Sequence, residues 1–257
     1  MTLVLLHSAG ATPAVWDRVR RHLLGVPAIA PPLPGRAGAG EPSDTVEGHA
    51  RSVLRAMDAA GIERAAIAGH SLGGGVALWL ALEHPARVAG LGLVSTGGRL
   101  RVDPRALAAL PSGLAEAAPV MAATNFPADP PEDLVEERRR TYAEVGGATV
   151  FADLTACDRF DVLDRLWEIR CRTQVLVGSA DVLTPPKYAR ALAERISAAR
   201  LVEYAGAGHM LPVERPAEVA GELAVLWAAS LDGRAIRERE GRSAAAGSSW
   251  GSPRRTG

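Results

Sequence analysis

Short runs of apolar residues alternate along the chain with longer segments in which apolar residues recur at helical spacing. The short runs are bounded by Gly, Pro or Arg and are almost continuously apolar, which is typical of strands covered on both faces of a parallel sheet. We therefore predict strands at residues 3–6, 28–30, 65–68, 88–94, 174–177 and 201–204.

Helices are predicted between these strands. Residues 45–60 carry apolar side chains at every third or fourth position, which places them on one face of a helix. Asp44 and Glu47, three residues apart, are predicted to form a capping pair at its start. Further helices are predicted at residues 73–83, 186–196 and 214–227. The alternation of strands and helices predicts an α/β fold with a doubly wound, mostly parallel sheet.

One stretch interrupts this alternation. Residues 97–167 contain no convincing strand and are rich in Ala, Glu and Arg. A structureless loop of this length is implausible in a compact domain, so we predict a helical insertion. Residues 1–96 and 168–232 then form the core. Residues 233–257 carry six Arg and two Glu and many turn formers, and they are predicted to be a disordered tail.

The charge balance excludes several classes of partner. The 257 residues include 29 basic and 29 acidic side chains, so the formal net charge is zero, which argues against binding to nucleic acid or an anionic membrane. No apolar run is long enough for a membrane span, and the first residues do not resemble a signal peptide.

Cys157 and Cys171 cannot form a disulfide framework, which favours a reducing cytoplasm. Arginine in place of lysine almost throughout, with abundant alanine, indicates a GC-rich bacterial genome.

A candidate nucleophile lies between the third predicted strand and the helix after it. Residues 69–73, Gly-His-Ser-Leu-Gly, fit the Gly-x-Ser-x-Gly pattern, in which the serine occupies a sharp turn from a strand into a helix. A second match, at residues 247–251, lies in the tail and has neither strand nor helix beside it. Ser71 is therefore the predicted nucleophile, and Ser249 is rejected.

A serine hydroxyl needs a base to take its proton, and that base needs a carboxylate that fixes its tautomer. Of the six histidines, His209 lies in a Gly-rich loop after the last predicted strand, at the sheet edge where α/β sites occur. His70 is expected to point away from the nucleophile. Asp181 follows the preceding strand at the same edge. The order Ser71, Asp181, His209 is the one expected for this fold. The rejected rivals of Asp181 are Asp153, Asp158, Asp161 and Asp164.

The reaction also requires backbone N–H groups that stabilise an oxyanion. The N–H of Leu72, directly after the nucleophile, is the first predicted donor. The second is expected in the loop after the first strand, from Ala9 or alternatively from Ser8. No cluster of His, Cys and carboxylate side chains has metal-ligand spacing, and this chemistry needs no metal or organic cofactor.

These segments together resemble the α/β-hydrolase superfamily. The resemblance covers nearly all of residues 2–230, and it rests on His-Ser-Ala-Gly at 7–10, Gly-His-Ser-Leu-Gly-Gly at 69–74, Gly-Ser-Ala-Asp at 178–181 with Pro185, and Gly-His at 208–209 followed by Glu-Arg-Pro at 214–216. Two departures are Ser8 in place of the family's usual glycine, and a first strand that corresponds to the family's third. The second departure predicts either a compact variant or a start further upstream.

The resemblance implies a serine hydrolase that cleaves a carboxylic ester of a small or medium acyl substrate through an acyl-enzyme. Ser71 disfavours the branches that use aspartate as nucleophile, and Gly75 replaces the arginine of the menaquinone-pathway synthase-like lyases. A thioesterase or lactonase acting on a free or carrier-bound acyl group remains an alternative. A non-catalytic binding member of the fold is a third, less favoured reading.

The resemblance also assigns residues 97–167 to a helical cap that shapes the substrate pocket. Arg99 and Arg101 lie where the chain enters this cap, close to the expected pocket mouth, and are candidates for substrate binding. Residues 138–140 are three consecutive arginines with Glu132, Glu136 and Glu137 nearby, so we interpret them as a solvated helix face.

Overall fold

The computed structural model describes residues 1–110, 113–128 and 130–247, with the backbone alone at 105–106, 109, 115–116 and 119–120 and beyond residue 231. Its strands are β1 (Thr2–Leu6), β2 (Ala28–Ile29), β3 (Ala65–His70), β4 (Val88–Val94), β5 (Arg172–Gly178) and β6 (Ala199–Tyr204). They form one sheet in the order β2-β1-β3-β4-β5-β6, and every neighbouring pair is parallel. The predicted doubly wound parallel sheet is confirmed.

The helices of the core are α1 (Asp17–Arg20), α2 (Val46–Ala59), α3 (Leu72–Glu83), α8 (Pro186–Arg195), α9 (Leu211–Glu214) and α10 (Pro216–Gly247). The helix predicted at residues 214–227 corresponds to the first part of α10, which begins at Pro216, and the short helix α9 before it was not predicted. Short 3₁₀ turns occupy Pro13–Trp16, Pro85–Arg87 and Leu163–Glu168.

Alternate residues of each strand face opposite layers of helices. In β1, Val4 and Leu6 pack in the cluster that contains α2, α3 and α8, whereas Leu3 and Leu5 pack with α1 and α10. Every residue of β3 and β4 is buried, which explains why both strands lack polar side chains apart from His70 at the end of β3.

The direction of strand succession reverses between β1 and β3, which lie side by side. In open α/β sheets, sites form in the crevice beyond the carboxyl ends of the strands at such a reversal. The loop that begins at His7 and the turn at Ser71 follow these two strands directly, so the topology alone brings them together.

Residues 97–167 contribute helices α4 (Pro104–Ala109), α5 (Leu114–Thr124), α6 (Glu132–Val145) and α7 (Gly147–Arg159) between β4 and β5. The chain enters and leaves this insertion side by side. Arg99 and Asp161 form an isolated antiparallel bridge there, and the Val162 N–H donates to the Gly98 carbonyl at 2.7 Å. We refer to residues 97–167 as the cap.

Helix α10 continues through residues 233–247, which belong to the segment expected to be a disordered tail. Ala, Arg and Glu are frequent there and have high helix propensity, so a helix already begun in the core extends through them. Residues 248–257, which include Ser249, lie outside the described residues. Within the described part of the chain, no helix is long and apolar enough to cross a membrane.

Candidate active site

Ser71 occupies the sharp turn between β3 and α3. Its φ and ψ are 54° and −114°, in a region that residues with a side chain rarely adopt. The turn is tight enough that a Cβ at Gly69 would overlap the backbone of Gly73. The Ser71 carbonyl accepts a hydrogen bond from Thr96 Oγ1 at 2.8 Å. This strained turn, held by its neighbours, presents the serine at the carboxyl edge of the sheet.

His209 and Asp181 lie on the loops after β6 and β5, and both side chains are buried. His209 Nδ1 is 2.9 Å from Asp181 Oδ2, which places the proton of the neutral ring on Nδ1 and leaves Nε2 as the acceptor. Burial alone would raise the pKa of the Asp181 carboxyl. The charge of His209 and the hydrogen bonds from His209 and Thr184 outweigh burial and hold this pKa below its usual range.

Thr184 orients the Asp181 carboxylate. Its hydroxyl donates to Asp181 Oδ2 at 2.7 Å and its N–H donates to Oδ1 at 2.8 Å, while the Leu183 N–H donates to the same Oδ1 at 2.9 Å. The sequence reading missed Thr184. The sequence signal that could have identified it is a Thr three positions after an acidic residue in a turn.

Glu214 fixes the loop on both sides of His209. Its carboxylate accepts hydrogen bonds from the N–H groups of Gly208 at 2.7 Å and Met210 at 2.9 Å. Burial raises the pKa of Glu214, although these hydrogen bonds oppose the rise. The main-chain N–H of His209 donates to the main-chain carbonyl of Asn125 in the cap at 3.0 Å.

His70 supports His209 from the other side. His70 Nε2 lies 2.8 Å from the His209 carbonyl, so this nitrogen carries the ring proton and donates it. Burial, together with the nearby charge of His209, lowers the pKa of His70 well below its ordinary value and keeps the ring neutral. Among the described residues, no hydrogen bond joins Ser71 Oγ to His70 or His209. Contacts of this kind are often long before substrate binds.

The loop after β1 contains both candidates for the second predicted oxyanion donor, Ala9 and Ser8. Ala9 lines the same cavity as Ser71 and His209, whereas Ser8 does not line it and is buried. His7 anchors this loop because its Nε2 accepts from the Leu33 N–H at 3.0 Å and its Nδ1 lies 3.0 Å from the Ser8 carbonyl. Burial, with Arg36 nearby, lowers the pKa of His7 well below its ordinary value.

The first predicted donor, the Leu72 N–H, stands at the first position of α3. N–H groups in the first turn of a helix have no acceptor within that helix, so they are available to an anion.

Arg138 is not part of a solvated face, contrary to the sequence interpretation. Its side chain is buried and donates to the carbonyls of Ala9 and Gly10 at 2.8 and 2.7 Å. Arg139 and Arg140 are exposed and pair with Glu136, as expected. Helical periodicity is the sequence signal that could have identified Arg138 as buried. Arg138, Tyr142 and Val145 recur at helical spacing and form the buried face of α6.

The cavity above Ser71 has a volume of about 300 Å³ and lies between the sheet edge and the cap. Its lining is mainly apolar, with polar side chains at few points. It is lined by Ala9, Ser71, Leu100, Arg101, Val102, Asp103, Met121, Thr124, Asn125, Tyr142, Leu154, Cys157, Leu183, Thr184 and His209.

The two arginines at the cap entrance differ in position. Arg101 lines the cavity above Ser71 and is exposed. Arg99 lies where the chain enters the cap, with its Nε 3.2 Å from Asp161 Oδ2. It lines a neighbouring surface cleft with Arg101, Lys187 and Tyr188.

In the described part of the chain, no group of three His, Cys, Asp or Glu residues could hold a metal ion.

A parallel sheet that carries a strained serine turn and a His–Asp pair at its carboxyl edge is the arrangement of an α/β hydrolase. The model of the alpha/beta hydrolase family matches residues 3–222, and the chain belongs to this family.

Known relatives support hydrolysis as the class of reaction. The chain is 32% identical over 241 residues to a pimeloyl-[acyl-carrier protein] methyl ester esterase of Aromatoleum aromaticum, covering 85% of this chain and 94% of the relative. A hydrolase from Pseudomonas aeruginosa has a similar structure, with a TM-score of 0.80, 28% identity and 88% of each chain covered. Est816, described as an N-acyl homoserine lactone degrading enzyme, has a TM-score of 0.76 and 25% identity over 87% of this chain and 92% of its own.

Proposed function

We propose that this protein is a serine-dependent carboxylic ester hydrolase. Ser71 Oγ attacks the acyl carbonyl while His209 Nε2 takes its proton, and Asp181 stabilises the resulting imidazolium. The N–H groups of Leu72 and Ala9 hold the oxyanion. His209 then returns the proton to the leaving alcohol as its bond to the acyl carbon breaks. Water repeats the sequence on the acyl-enzyme and releases the acid and the free serine.

One observation carries this proposal: Ser71 and His209 line the same cavity. Ser71 has a φ of 54°, and Asp181 Oδ2 lies 2.9 Å from His209 Nδ1. A strained backbone persists only where the surrounding structure enforces it, and such strain concentrates at functional sites. Asp181 and His209 come from separate loops, so their pairing supports a shared role.

The cavity favours a neutral acyl group of small or medium size. Leu100, Val102, Met121, Leu154 and Leu183 provide its apolar wall. About 300 Å³ is at the lower end of small-molecule sites. Arg101 lines the cavity and would contact a polar part of the substrate there. Arg99 would reach only a portion of the substrate that extends into the neighbouring cleft.

A carrier-bound acyl substrate is the second candidate. It is favoured by the similarity to a relative whose name specifies an acyl-carrier-protein methyl ester. Binding energy from a carrier would appear as a much lower KM for the carrier-bound ester than for the free ester. A thioester or a lactone would use the same three side chains.

The test is hydrolysis of p-nitrophenyl esters with acyl chains of two to twelve carbons by wild type, S71A and the matched control S249A. We expect S71A to lose about 10⁶-fold in kcat and S249A to match wild type. The optimum chain length then measures the acyl site.

Labelling with a fluorophosphonate, located by peptide mass spectrometry, completes the test. Labelling at Ser71 without hydrolysis of the series would direct the search to thioesters, lactones or a carrier-bound ester. A folded wild type that neither hydrolyses these esters nor reacts at Ser71 would refute the proposed function and favour a binding protein.

A further inference from the structure

Two buried charges of opposite sign hold a single peptide group of the loop after β1, residues 7–11, which we refer to as the oxyanion loop. Arg138 Nη2, from α6, donates to the Ala9 carbonyl at 2.8 Å. The Gly10 N–H, which belongs to the same peptide group, donates to Asp153 Oδ2 of α7 at 2.8 Å. Both side chains come from the cap, and their residues are 5% and 0% exposed.

This arrangement selects one orientation of the Ala9–Gly10 peptide. If the peptide turned over, its carbonyl oxygen would face the Asp153 carboxylate and its N–H would face the Arg138 guanidinium. Charge-assisted hydrogen bonds are stronger than neutral ones, and burial reduces the screening of their charges. The peptide dipole is therefore fixed at both ends, and with it the backbone that places the Ala9 N–H.

The surroundings of Gly10 restrict the loop further. Its φ is +57°, and a Cβ added there would overlap the Tyr142 ring. The Arg138 guanidinium lies over that ring, 4.0 Å from its centroid. Tyr142 also lines the catalytic cavity, so the groups that hold the loop reach the site itself.

Asp153 has a charged partner of its own. Arg36 donates to both of its carboxylate oxygens, at 2.6 and 3.0 Å, and also to the Ala11 carbonyl at 2.9 Å. Three successive main-chain carbonyls, those of Ala9, Gly10 and Ala11, thus accept from buried guanidinium groups.

The hydrogen bonds of Arg138 argue against a role in stability alone. They go to neutral oxygens: the carbonyls of Ala9 and Gly10, and Asn125 Oδ1 at 3.0 Å. Burying a guanidinium in this way carries a desolvation cost, and an apolar side chain in α6 would avoid it. The main-chain carbonyl of the same Asn125 accepts a hydrogen bond from the main-chain N–H of His209. Arg138 therefore contacts the oxyanion loop directly, and it also contacts the residue that holds the backbone of His209.

We propose that Arg138 and Asp153 are positioning residues that set the oxyanion loop from the cap. The inference rests on the proposed function, because an oxyanion forms only if Ser71 attacks a carbonyl. Arg138 and Asp153 need not touch substrate. They act through the Ala9–Gly10 peptide, and the cap is therefore a fixed part of the reaction centre.

The test compares R138M and R138K with R139M, whose exposed guanidinium pairs with Glu136 on the same helix. Loss of one oxyanion donor lowers kcat by about 10²–10³-fold, so a loosened donor in R138M is expected to lower kcat by about 10–100-fold. KM should change little. Lysine keeps the positive charge but lacks the planar fork that aims separate N–H groups at the two carbonyls, so R138K should lie between R138M and wild type. R139M should match wild type.

A second readout separates positioning from a purely structural role. A trifluoromethyl ketone adds to the serine and forms an oxyanion, whereas the product acid does not. R138M should weaken the affinity for the ketone by the same factor as kcat and leave the affinity for the acid nearly unchanged. Thermal unfolding of each variant establishes that the compared proteins are folded.

A folded R138M that keeps kcat and ketone affinity within about twofold of wild type would overturn the inference while leaving the proposed function intact. If R138M does not fold, R138K and D153N decide in the same assays, and wild-type kcat in both would overturn it. A wild type without ester hydrolysis and without labelling at Ser71 would instead refute the proposed function, and this inference with it.

Discussion

The two loops that frame the candidate site are held in different ways. The loop around His209 is fixed mainly from the core, by Glu214 on its two flanking N–H groups and by Asp181 on the ring. The loop after β1 is fixed largely from the cap, by Arg138 and Asp153. The loop that carries His209 therefore depends mainly on the sheet and the turns that follow it, whereas the loop that carries the proposed donor Ala9 depends largely on an inserted segment.

The largest expected effect in this comparison concerns the loop that carries His209. D181N would remove the charge that stabilises the His209 imidazolium and would favour the wrong tautomer, so kcat should fall by about 10⁴-fold. The matched control is D164N, because Asp164 is fully exposed. Kinetics on the best p-nitrophenyl ester measure both. A decrease of less than tenfold in D181N would exclude Asp181 as the partner of His209.

An intermediate effect is expected from E214Q. The amide of glutamine offers one acceptor oxygen where the carboxylate offers two, so one of the N–H groups of Gly208 and Met210 loses its partner. An unpaired buried donor costs about 1–3 kcal/mol. Urea denaturation should show this decrease in the free energy of unfolding, and R138M should show a larger ratio of kcat loss to stability loss.

E218Q, in the first turn of α10, is the control for E214Q. Equal loss of stability in E214Q and E218Q would show that Glu214 has no special role in holding the His209 loop.

The smallest expected effect concerns pH, because each loop is held by one buried histidine: His7 begins the loop after β1, and His70, at the end of β3, donates to the His209 carbonyl. Burial lowers the pKa of His7 and of His70 well below the usual value of 6.5. Unfolding restores the ordinary value, so the unfolded state binds more protons below about pH 6.5 and stability falls as the pH falls. The loss approaches about 1.4 kcal/mol per pH unit for each histidine.

Urea denaturation between pH 7.5 and 5.5 checks this dependence. H70Q should show a shallower decline than wild type, whereas H22Q should keep the full slope because His22 is exposed. A slope in H70Q equal to that of wild type would contradict the burial of a neutral His70.

Much of the fold could be predicted from local pattern. The apolar runs located the strands, because a strand covered on both faces is apolar along its whole length. Ser71, Asp181 and His209 were chosen by a motif or by their place after a strand, and the structure brings Asp181 and His209 into contact. The length of α10 beyond residue 227 was not predicted, because the turn formers and charge of the segment were given more weight than its helix propensity.

The contacts of the cap could not be predicted in this way. Arg138 and Ala9 are 129 positions apart, and Asp153 and Gly10 are 143 apart. A run of three arginines beside glutamates is ordinarily solvated, and only the packing of α6 against the loop separates Arg138 from Arg139 and Arg140.

The sequence by itself determined the parallel sheet, the strained serine turn and the order of the candidate catalytic side chains, because burial, periodicity and turn chemistry act over neighbouring residues. Only the tertiary structure decided which charged residues of the cap enter the interior. A buried charge requires partners with defined geometry, and here those partners are main-chain groups on a loop that is distant in sequence.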